Sequence, residues 1–273
     1  MTAGTFTKRA RTNDPAFFAV EAAGLRWLAD AGPGSARVVG VVDVSPEQIV
    51  LERVTPSRPT REAAEAFGRA LAITHAAGAE AFGAPPDGWR GDGYIGRQPL
   101  SMQPTTTWGR FYAEQRLLPY ARRAHQVGNL SRSGGALVER VCQRLIAGEF
   151  DDGRAPARIH GDLWSGNVIF TVDGVVMIDP AAHGGHGLTD LAMLHLFGAP
   201  ELAVLTAAYV EAVRLDGDWE SADRAAPVAS AACARSESRR LVRCCGRTDC
   251  RSLRLALTPP HLARLAVARV PCR

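Results

Sequence analysis

The segment from residue 158 to residue 179 constrains the fold more than any other part of the chain. Short apolar runs of the kind that form buried strands alternate there with polar residues that stand at their ends. Asp162 follows the first run, Asn167 comes just before the second, and Asp179 follows the third. A sheet is rigid enough to direct all three side chains into one cleft, so the sequence predicts a polar site at the ends of short strands.

The residue types and their order in this segment predict phosphoryl transfer. That reaction needs metal ions to neutralise charge, and a carboxylate to orient the attacking hydroxyl and accept its proton. Asp162 suits the carboxylate role, while Asn167 and Asp179 supply the oxygen ligands that Mg²⁺ prefers. An aspartate, an asparagine five residues on and a second aspartate after a hairpin follow the order of kinase catalytic loops. The alternative is that these residues only serve turns and caps, where Asp and Asn are common.

The residues around this motif resemble the fructosamine (ketosamine) kinase family of the aminoglycoside phosphotransferase-like, protein-kinase-like superfamily. Trp164-Ser165-Gly166 and Ile178-Asp179-Pro180-Ala181 carry the resemblance to that branch. Further stretches agree with the family in sequence and order: 17–28, 58–75, 94–99 and 108–119. The resemblance runs from about residue 5 to residue 220.

The resemblance implies an α+β, protein-kinase-like fold with two lobes. A partial small α/β lobe is expected over residues 1–54, a hinge over 55–60 and a mainly helical lobe over 61–220. Residues 221–273 form an atypical tail that is rich in arginine and cysteine and is not expected to be native-like.

The resemblance also implies roles for particular residues. Lys8 would grip the nucleotide phosphates, and Glu21 would be its ion-pair partner. The strand that faces adenine would hold Leu51, Glu52 and Val54. His160 is expected to brace the catalytic loop and Asp190 to anchor it, whereas Trp164 either stacks on a sugar or fills the core.

The function implied is transfer of phosphate from ATP, with Mg²⁺, to a sugar hydroxyl of a small-molecule or protein-bound ketosamine. One alternative is a kinase for another small alcohol, of the aminoglycoside or choline type. The other alternative is a truncated relative without catalytic activity. An otherwise unremarkable composition and the lack of a long apolar run predict a cytoplasmic protein that binds neither membrane nor nucleic acid.

The chain departs from the family at both ends. Only seven residues precede Lys8, so the strand pair that covers the nucleotide phosphates is expected to be missing. Gly187 and Leu188 stand where the family usually has arginine and glutamate. Residues 221–273 hold eleven arginines, three acidic residues and no aromatic residue, which favours a shifted reading frame near residue 220 over a genuine basic appendage.

Cysteine usage predicts neither zinc nor disulfides. Five of the six cysteines lie in the tail, and no pair has the CxxC spacing of a zinc site. Periodicity predicts a short strand at residues 5–8, a helix from Asp14-Pro15, a helix from Arg61 capped by Thr60, and a long loop over 78–96. Further strands are expected at 38–44, 48–54 and within 158–178, and further helices at 108–120, 135–146, 189–197 and 201–213.

Overall fold

The structure, a computed structural model, describes residues 4–9 and 14–215. Both interpretations of the arginine-rich tail concern residues outside this part of the chain. The described residues form ten strands and seven α-helices, together with a π-helical segment (Tyr112–Leu117) and a 3₁₀ turn (Ser165–Asn167). The strands are β1 (Thr5–Arg9), β2 (Arg37–Val38), β3 (Val41–Val44), β4 (Gln48–Glu52), β5 (Gly93–Ile95), β6 (Gln98–Leu100), β7 (Ala157–Ile159), β8 (Val168–Thr171), β9 (Gly174–Met177) and β10 (His183–Gly185). The helices are α1 (Ala16–Ala29), α2 (Arg61–Ala76), α3 (Trp108–Phe111), α4 (Leu118–Gln126), α5 (Arg132–Ile146), α6 (Leu188–Phe197) and α7 (Leu202–Val213).

The first part of the chain builds a small antiparallel sheet in the order β1-β4-β3, against which α1 packs. The apolar face of α1 buries Phe18 and Leu25 against Ile49 and Leu51 of β4. Among the described strands β1 pairs with β4 alone, so it lies at an edge of the sheet. The strand that carries Lys8 is therefore held by backbone hydrogen bonds along one side.

A larger, mainly helical part follows. Helices α2 and α7 pack together over the β8-β9 hairpin, and their shared core includes Leu71, Leu163 and Leu205. As predicted, Thr60 caps α2, and its hydroxyl accepts from the Ala63 backbone N–H at 3.2 Å. The α+β fold class is confirmed by these elements, whereas the predicted domain boundaries stay a prediction.

The prediction of one strand over residues 38–44 is wrong. The chain there forms β2 and β3, because it changes partners between them. The Val39 backbone N–H donates to Met177 O at 3.0 Å, and the next residue, Gly40, accepts from Glu52 N at 2.9 Å. β2 accordingly pairs in parallel with β9, while β3 pairs with β4.

The predicted helix over residues 108–120 is interrupted by the π-helical segment between α3 and α4. Pro119 lies in the first turn of α4 and has no N–H to offer the Gln115 carbonyl, so the hydrogen-bond ladder is rearranged just before it. The predicted loop over 78–96 contains the short strand β5 at its end. In the described part of the chain, every helix is too short or too polar to cross a bilayer.

Candidate active site

Three of the predicted polar residues meet in the site segment, which we define as residues 157–190. The 3₁₀ turn brings Asn167 back toward Asp162 after β7 has ended. The Asn167 Nδ2 atom donates to the Asp162 backbone oxygen at 2.8 Å, to its carboxylate Oδ2 at 3.2 Å and to the Asp179 backbone oxygen at 3.3 Å. One buried amide therefore holds both aspartates in place.

Asp190, in the first turn of α6, anchors the turn that precedes Asp162, as the resemblance implied. Its buried carboxylate accepts from the backbone N–H groups of His160 at 2.7 Å and of Gly161 at 2.9 Å, and it lies 3.1 Å from His75 Nε2. Burial alone would raise the pKa of Asp190, but the hydrogen bonds and charge interactions with His75 and His160 outweigh burial and lower it. The anchor is therefore an ionised carboxylate.

The ring of His160 braces the same turn through both nitrogens, which confirms its expected role. The Asp162 backbone N–H donates to Nδ1 at 3.2 Å, so the proton is on Nε2, which donates to the Ile178 backbone oxygen at 2.9 Å. Burial lowers the pKa of His160 despite the nearby Asp190. A neutral ring with both nitrogens engaged acts as a brace rather than as a general base.

The Lys8 ammonium reaches the site segment from β1. Its Nζ lies 2.6 Å from Glu21 Oε1 on α1 and 3.1 Å from Asp179 Oδ1. Burial opposes the charge on Lys8, but Glu21 and Asp179 outweigh it and raise the pKa of Lys8. Burial also raises the pKa of Glu21 by more than Lys8 lowers it. The ammonium is thus stabilised by two carboxylates together, and both of them line the cleft.

The backbone at two positions of the site segment lies in the left-handed region. Asp179 has a φ of 53°, a conformation that Asp and Asn tolerate better than most residues. Gly161 has a φ of 79°, and a Cβ there would lie 2.3 Å from the Ala181 carbonyl oxygen. A glycine is therefore required directly before Asp162.

These groups line a single cleft of about 420 Å³. Its polar lining comprises Lys8, Glu21, Asp162, Asn167 and Asp179. Aromatic and apolar walls are supplied by Phe17, Val20, Tyr94, Ile95, Met102 and Trp164. The half-buried Trp164 ring lies so close to Gly166 that a Cβ there would approach it to 2.3 Å. This position on the cleft wall favours contact with a ligand over core filling, and the substrate role of Trp164 stays a prediction.

The three residues expected to face adenine are not brought to this cleft. Leu51 is buried in the core beneath α1, and Val54 packs against the same core. Glu52 is exposed, and its carboxylate lies beside Gly40. The assignment of Leu51, Glu52 and Val54 to nucleotide binding therefore stays a prediction, supported by sequence order alone.

The oxygen groups of the site fit a hard divalent cation that arrives with a nucleotide. In the described residues, no cluster of three or more His, Cys, Asp or Glu side chains forms a complete metal site. Mg²⁺ at phosphoryl-transfer sites is held by one or two protein ligands and completed by substrate phosphates. The Asp179 carboxylate is 44% exposed toward the cleft, and the three hydrogen bonds of Asn167 use its nitrogen rather than its oxygen. Two protein ligands are thus in place.

Two side-chain pairs near the site were not foreseen from the sequence. His75 Nδ1 lies 2.7 Å from the Tyr209 hydroxyl, which extends the Asp190 network to α7. The Tyr94 hydroxyl donates to Asp14, and this bond raises the pKa of Tyr94 to about 12. A histidine or tyrosine on an amphipathic helix or short strand carries no local signal of such a partner, because the contacts are between residues far apart in the chain.

A family model described as fructosamine kinase matches residues 2–225. Among curated relatives, a probable ketoamine kinase of Synechocystis sp. is 39% identical over 154 residues, which is 55% of this chain and 48% of the relative. A probable ketoamine kinase of Thermus thermophilus is 34% identical over 191 residues, 70% of this chain and 65% of the relative. The chain thus spans about half to two thirds of the length of these curated relatives.

Solved structures confirm the predicted protein-kinase-like fold. A protein of Thermobifida fusca described as a candidate fructosamine-3-kinase superposes with a TM-score of 0.75 at 42% identity, covering 88% of this chain and 85% of the other. The aminoglycoside phosphotransferase APH(2")-IIa, solved with gentamicin, superposes with a TM-score of 0.52 at 16% identity, over 81% of this chain and 73% of the other. The latter likeness concerns the fold alone.

Proposed function

Because the chain belongs to the fructosamine kinase family, we propose that it transfers the γ-phosphate of ATP to a sugar hydroxyl of a ketosamine, the adduct of a sugar with an amine. The observation that supports this most is the convergence of Lys8, Asp162, Asn167 and Asp179 on one cleft. These are the groups that phosphoryl transfer requires, and they come from two separate parts of the chain, β1 and the site segment. The cytoplasmic location, and a ketosamine rather than nucleic acid or membrane as partner, belong to the same proposal.

Asp162 is proposed as the group that orients the attacking hydroxyl and accepts its proton. The hydroxyl oxygen forms a bond to the γ-phosphorus, the bond from that phosphorus to the bridging oxygen breaks, and ADP leaves with the bond electrons. Asn167 donates to Asp162 Oδ2 and so limits the rotation of the carboxylate. The base is in this way positioned before substrate arrives, which reduces reorganisation during the reaction.

Lys8 is proposed to bind the nucleotide phosphates. In the described structure it lies 3.1 Å from Asp179 Oδ1, a partner that a phosphate oxygen can replace. Glu21 would keep the ammonium in place through the 2.6 Å contact on its other side. When bound, Mg²⁺ supplies charge neutralisation for the phosphates, and Asp179 and Asn167 are the chain's residues that would hold it.

The ketosamine assignment is supported by the cleft wall. Trp164 and Tyr94 present aromatic surface beside Asp162, and such surface can pack against the C–H face of a sugar while carboxylates nearby attract a protonated amine. Aminoglycosides are themselves aminated sugars and choline is a cation that binds aromatic surface, so the same wall could accept these substrates as well. The choice of a ketosamine among the three rests on the family that the sequence matches.

A substrate panel tests the proposal directly. ADP release is measured with a fructosyl-amine, an aminoglycoside and choline, each with the wild-type chain, with Asp162→Asn and with the control Asp173→Asn at the exposed hairpin turn. We expect preference for the fructosyl-amine, and a loss of at least ~10²-fold in kcat for Asp162→Asn because the amide cannot accept the proton. The control should keep full turnover.

Two results would count against the proposal. Near-full turnover by Asp162→Asn would remove that residue from the role of base. A preference for choline or the aminoglycoside would assign the chain to the other substrate class while leaving the kinase assignment intact.

A further inference from the structure

Arg116, in the π-helical segment, is a buried cation whose charge is poorly balanced. Its side chain is 5% exposed, and its guanidinium lies 4.5 Å from the centroid of the Phe111 ring. Nη1 donates to the backbone oxygen of Ser101 at 2.8 Å and to that of Gln115 at 3.1 Å. The second acceptor is the carbonyl to which Pro119, having no N–H, cannot donate, and the guanidinium supplies a donor there.

The other terminal nitrogen of Arg116 has no such partner. Among the described residues, no hydrogen-bond acceptor lies within reach of Nη2, and no carboxylate forms an ion pair with the guanidinium. The one carboxylate among the groups that influence the pKa of Arg116, Asp92, ranks behind Tyr120 and Tyr112. Asp92 is exposed, and its Oδ1 already accepts from Met102 N and Gln103 Nε2, both at 3.0 Å. A buried charge without a counter-charge is costly, so a partner is expected.

A small cavity that Arg116 helps to line has about 20 Å³ of space. One water molecule needs about 10–15 Å³ by the same measure, so there is room for a single ion somewhat larger than water. Arg116 is the one charged side chain of its described lining. His183, on the same wall, donates from Nδ1 to Ala181 O at 2.7 Å, and burial, with the charge of Arg116, lowers its pKa to about 3. It is therefore neutral near pH 7. Burial lowers the pKa of Arg116 only to about 10, so the guanidinium stays charged.

We propose that this cavity binds one monovalent anion of chloride size, with Arg116 Nη2 as its principal ligand. A water molecule would supply the missing acceptor but not the missing negative charge, whereas a halide supplies both. Phosphate and sulfate carry four oxygens and exceed the available space. The hydroxyl of Thr189 lies on the same lining and can donate to an anion, whereas that of Tyr120 already donates to Pro99 O at 3.5 Å.

The position of the cavity connects it to the site segment. Gly161, which precedes Asp162 and donates its N–H to Asp190 at 2.9 Å, forms part of the wall. The cavity exists only in the folded protein, so an anion that occupies it would stabilise the folded state and, with it, the turn that carries Asp162. This inference does not depend on the substrate of the enzyme.

Thermal melting in chloride and in gluconate at equal ionic strength tests the proposal, since gluconate is too large for the cavity. We expect a melting temperature about 3 °C higher in saturating chloride, and a similar rise in bromide. Arg116→Met should lose this difference. Arg110→Met, which removes an exposed arginine of neighbouring α3, should keep it and so controls for general salt effects.

Because Arg116→Met is also a change in a packed region, a second measurement uses the wild-type chain. Crystals grown in sodium bromide should show an anomalous scattering peak beside Arg116 Nη2. Equal melting temperatures in chloride and gluconate, or a bromide crystal with only a water-like peak in the cavity, would overturn the proposal and assign the space to water.

Discussion

The two parts of the molecule that supply the cleft hold their functional groups in different ways. In the site segment, backbone turns are fixed by a fully buried carboxylate, Asp190, and by a buried amide, Asn167. In β1, by contrast, Lys8 stands on an edge strand and is positioned by two side-chain ion pairs. The Asp179 partner of Lys8 is 44% exposed, whereas Asp190 is 0% exposed.

This difference suits the roles that the proposed function gives to the two regions. A proton acceptor must stand in one place before the substrate binds, and a network of buried hydrogen bonds provides that at the expense of adjustability. A phosphate-binding cation has to exchange one partner for another when the nucleotide enters. A half-exposed ion pair makes that exchange inexpensive, because water already competes for the charges.

The contrast is tested most strongly by removing the buried anchor. Asp190→Ala should lower the free energy of unfolding by about 3–5 kcal/mol, because two backbone N–H groups and His75 lose a buried acceptor. Chemical denaturation measures this. The exposed Asp173→Ala is the matched control and should change stability by no more than about 0.5 kcal/mol. Similar losses for both variants would show that the buried network does not hold the site segment.

The same anchor predicts a pH dependence. Because the folded-state pKa of Asp190 is below its unfolded value of about 3.9, its stabilisation is fully present above that value and is lost as the pH falls through the folded pKa. Removing the carboxylate should therefore flatten the acid limb of the stability curve. An acid limb with the same slope in wild type and Asp190→Ala would contradict the direction of the shift.

Substitutions of the two proposed metal ligands, Asn167 and Asp179, should affect stability and ATP binding in opposite orders. Their effects on stability should be smaller than that of Asp190→Ala. Asn167→Ala removes three hydrogen bonds of a buried amide and should cost about 1–3 kcal/mol, more than Asp179→Ala at its half-exposed position. Mg²⁺-dependent ATP binding should show the reverse order. It should vanish in Asp179→Ala and weaken less in Asn167→Ala, because an anionic ligand holds a hard cation more strongly than a neutral amide.

Chemical denaturation of the two variants measures the order of their stability losses. Titration of Mg²⁺ against bound ATP on the same two proteins measures the order of their losses in nucleotide binding. If one variant loses more stability and also more ATP binding than the other, the assignment of Asn167 mainly to positioning and of Asp179 mainly to cation binding is wrong.

Lys8→Met should have the smallest effect on stability, about 1 kcal/mol or less, while abolishing nucleotide binding. Glu21 loses its counter-charge, but burial already raises its pKa, so it can take up a proton instead of remaining charged. Calorimetric titration with ATP measures the loss of nucleotide binding, and chemical denaturation measures the loss of stability. Arg9→Met, a change of an exposed charge on the same strand, should leave both unchanged. A large loss of stability in Lys8→Met would mean that β1 depends on its lysine for folding.

The sequence predicted the parts of this site whose signals are local. The spacing of Asp162, Asn167 and Asp179 indicates strand ends, and Thr60 before a helical repeat indicates a cap. The pairing of β2 with β9 was not predictable, because a two-residue strand carries almost no periodicity and its partner lies far along the chain. The π-helical segment was not predictable for a related reason, since a proline within the first turn of a helix is common. Only the structure shows that the Gln115 carbonyl accepts a hydrogen bond from Arg116.

The pairing of β2 with β9 also bears on how the cleft can open. The Val39 backbone N–H donates to Met177 O at 3.0 Å, and the Ser57 backbone N–H donates to Phe170 O at 2.7 Å. These bonds tie residues before and within 55–60 to the β8-β9 hairpin, which Asp179 follows. A swing of the whole small lobe about residues 55–60 would have to break them. Arg158 Nη1 donates to the Trp27 backbone oxygen, and Trp27 and Leu28 pack against Ala182, so α1 is tied to the site segment as well. Opening of the cleft is therefore expected to be confined to the edge strand β1, whose local fraying would withdraw Lys8 from the cleft.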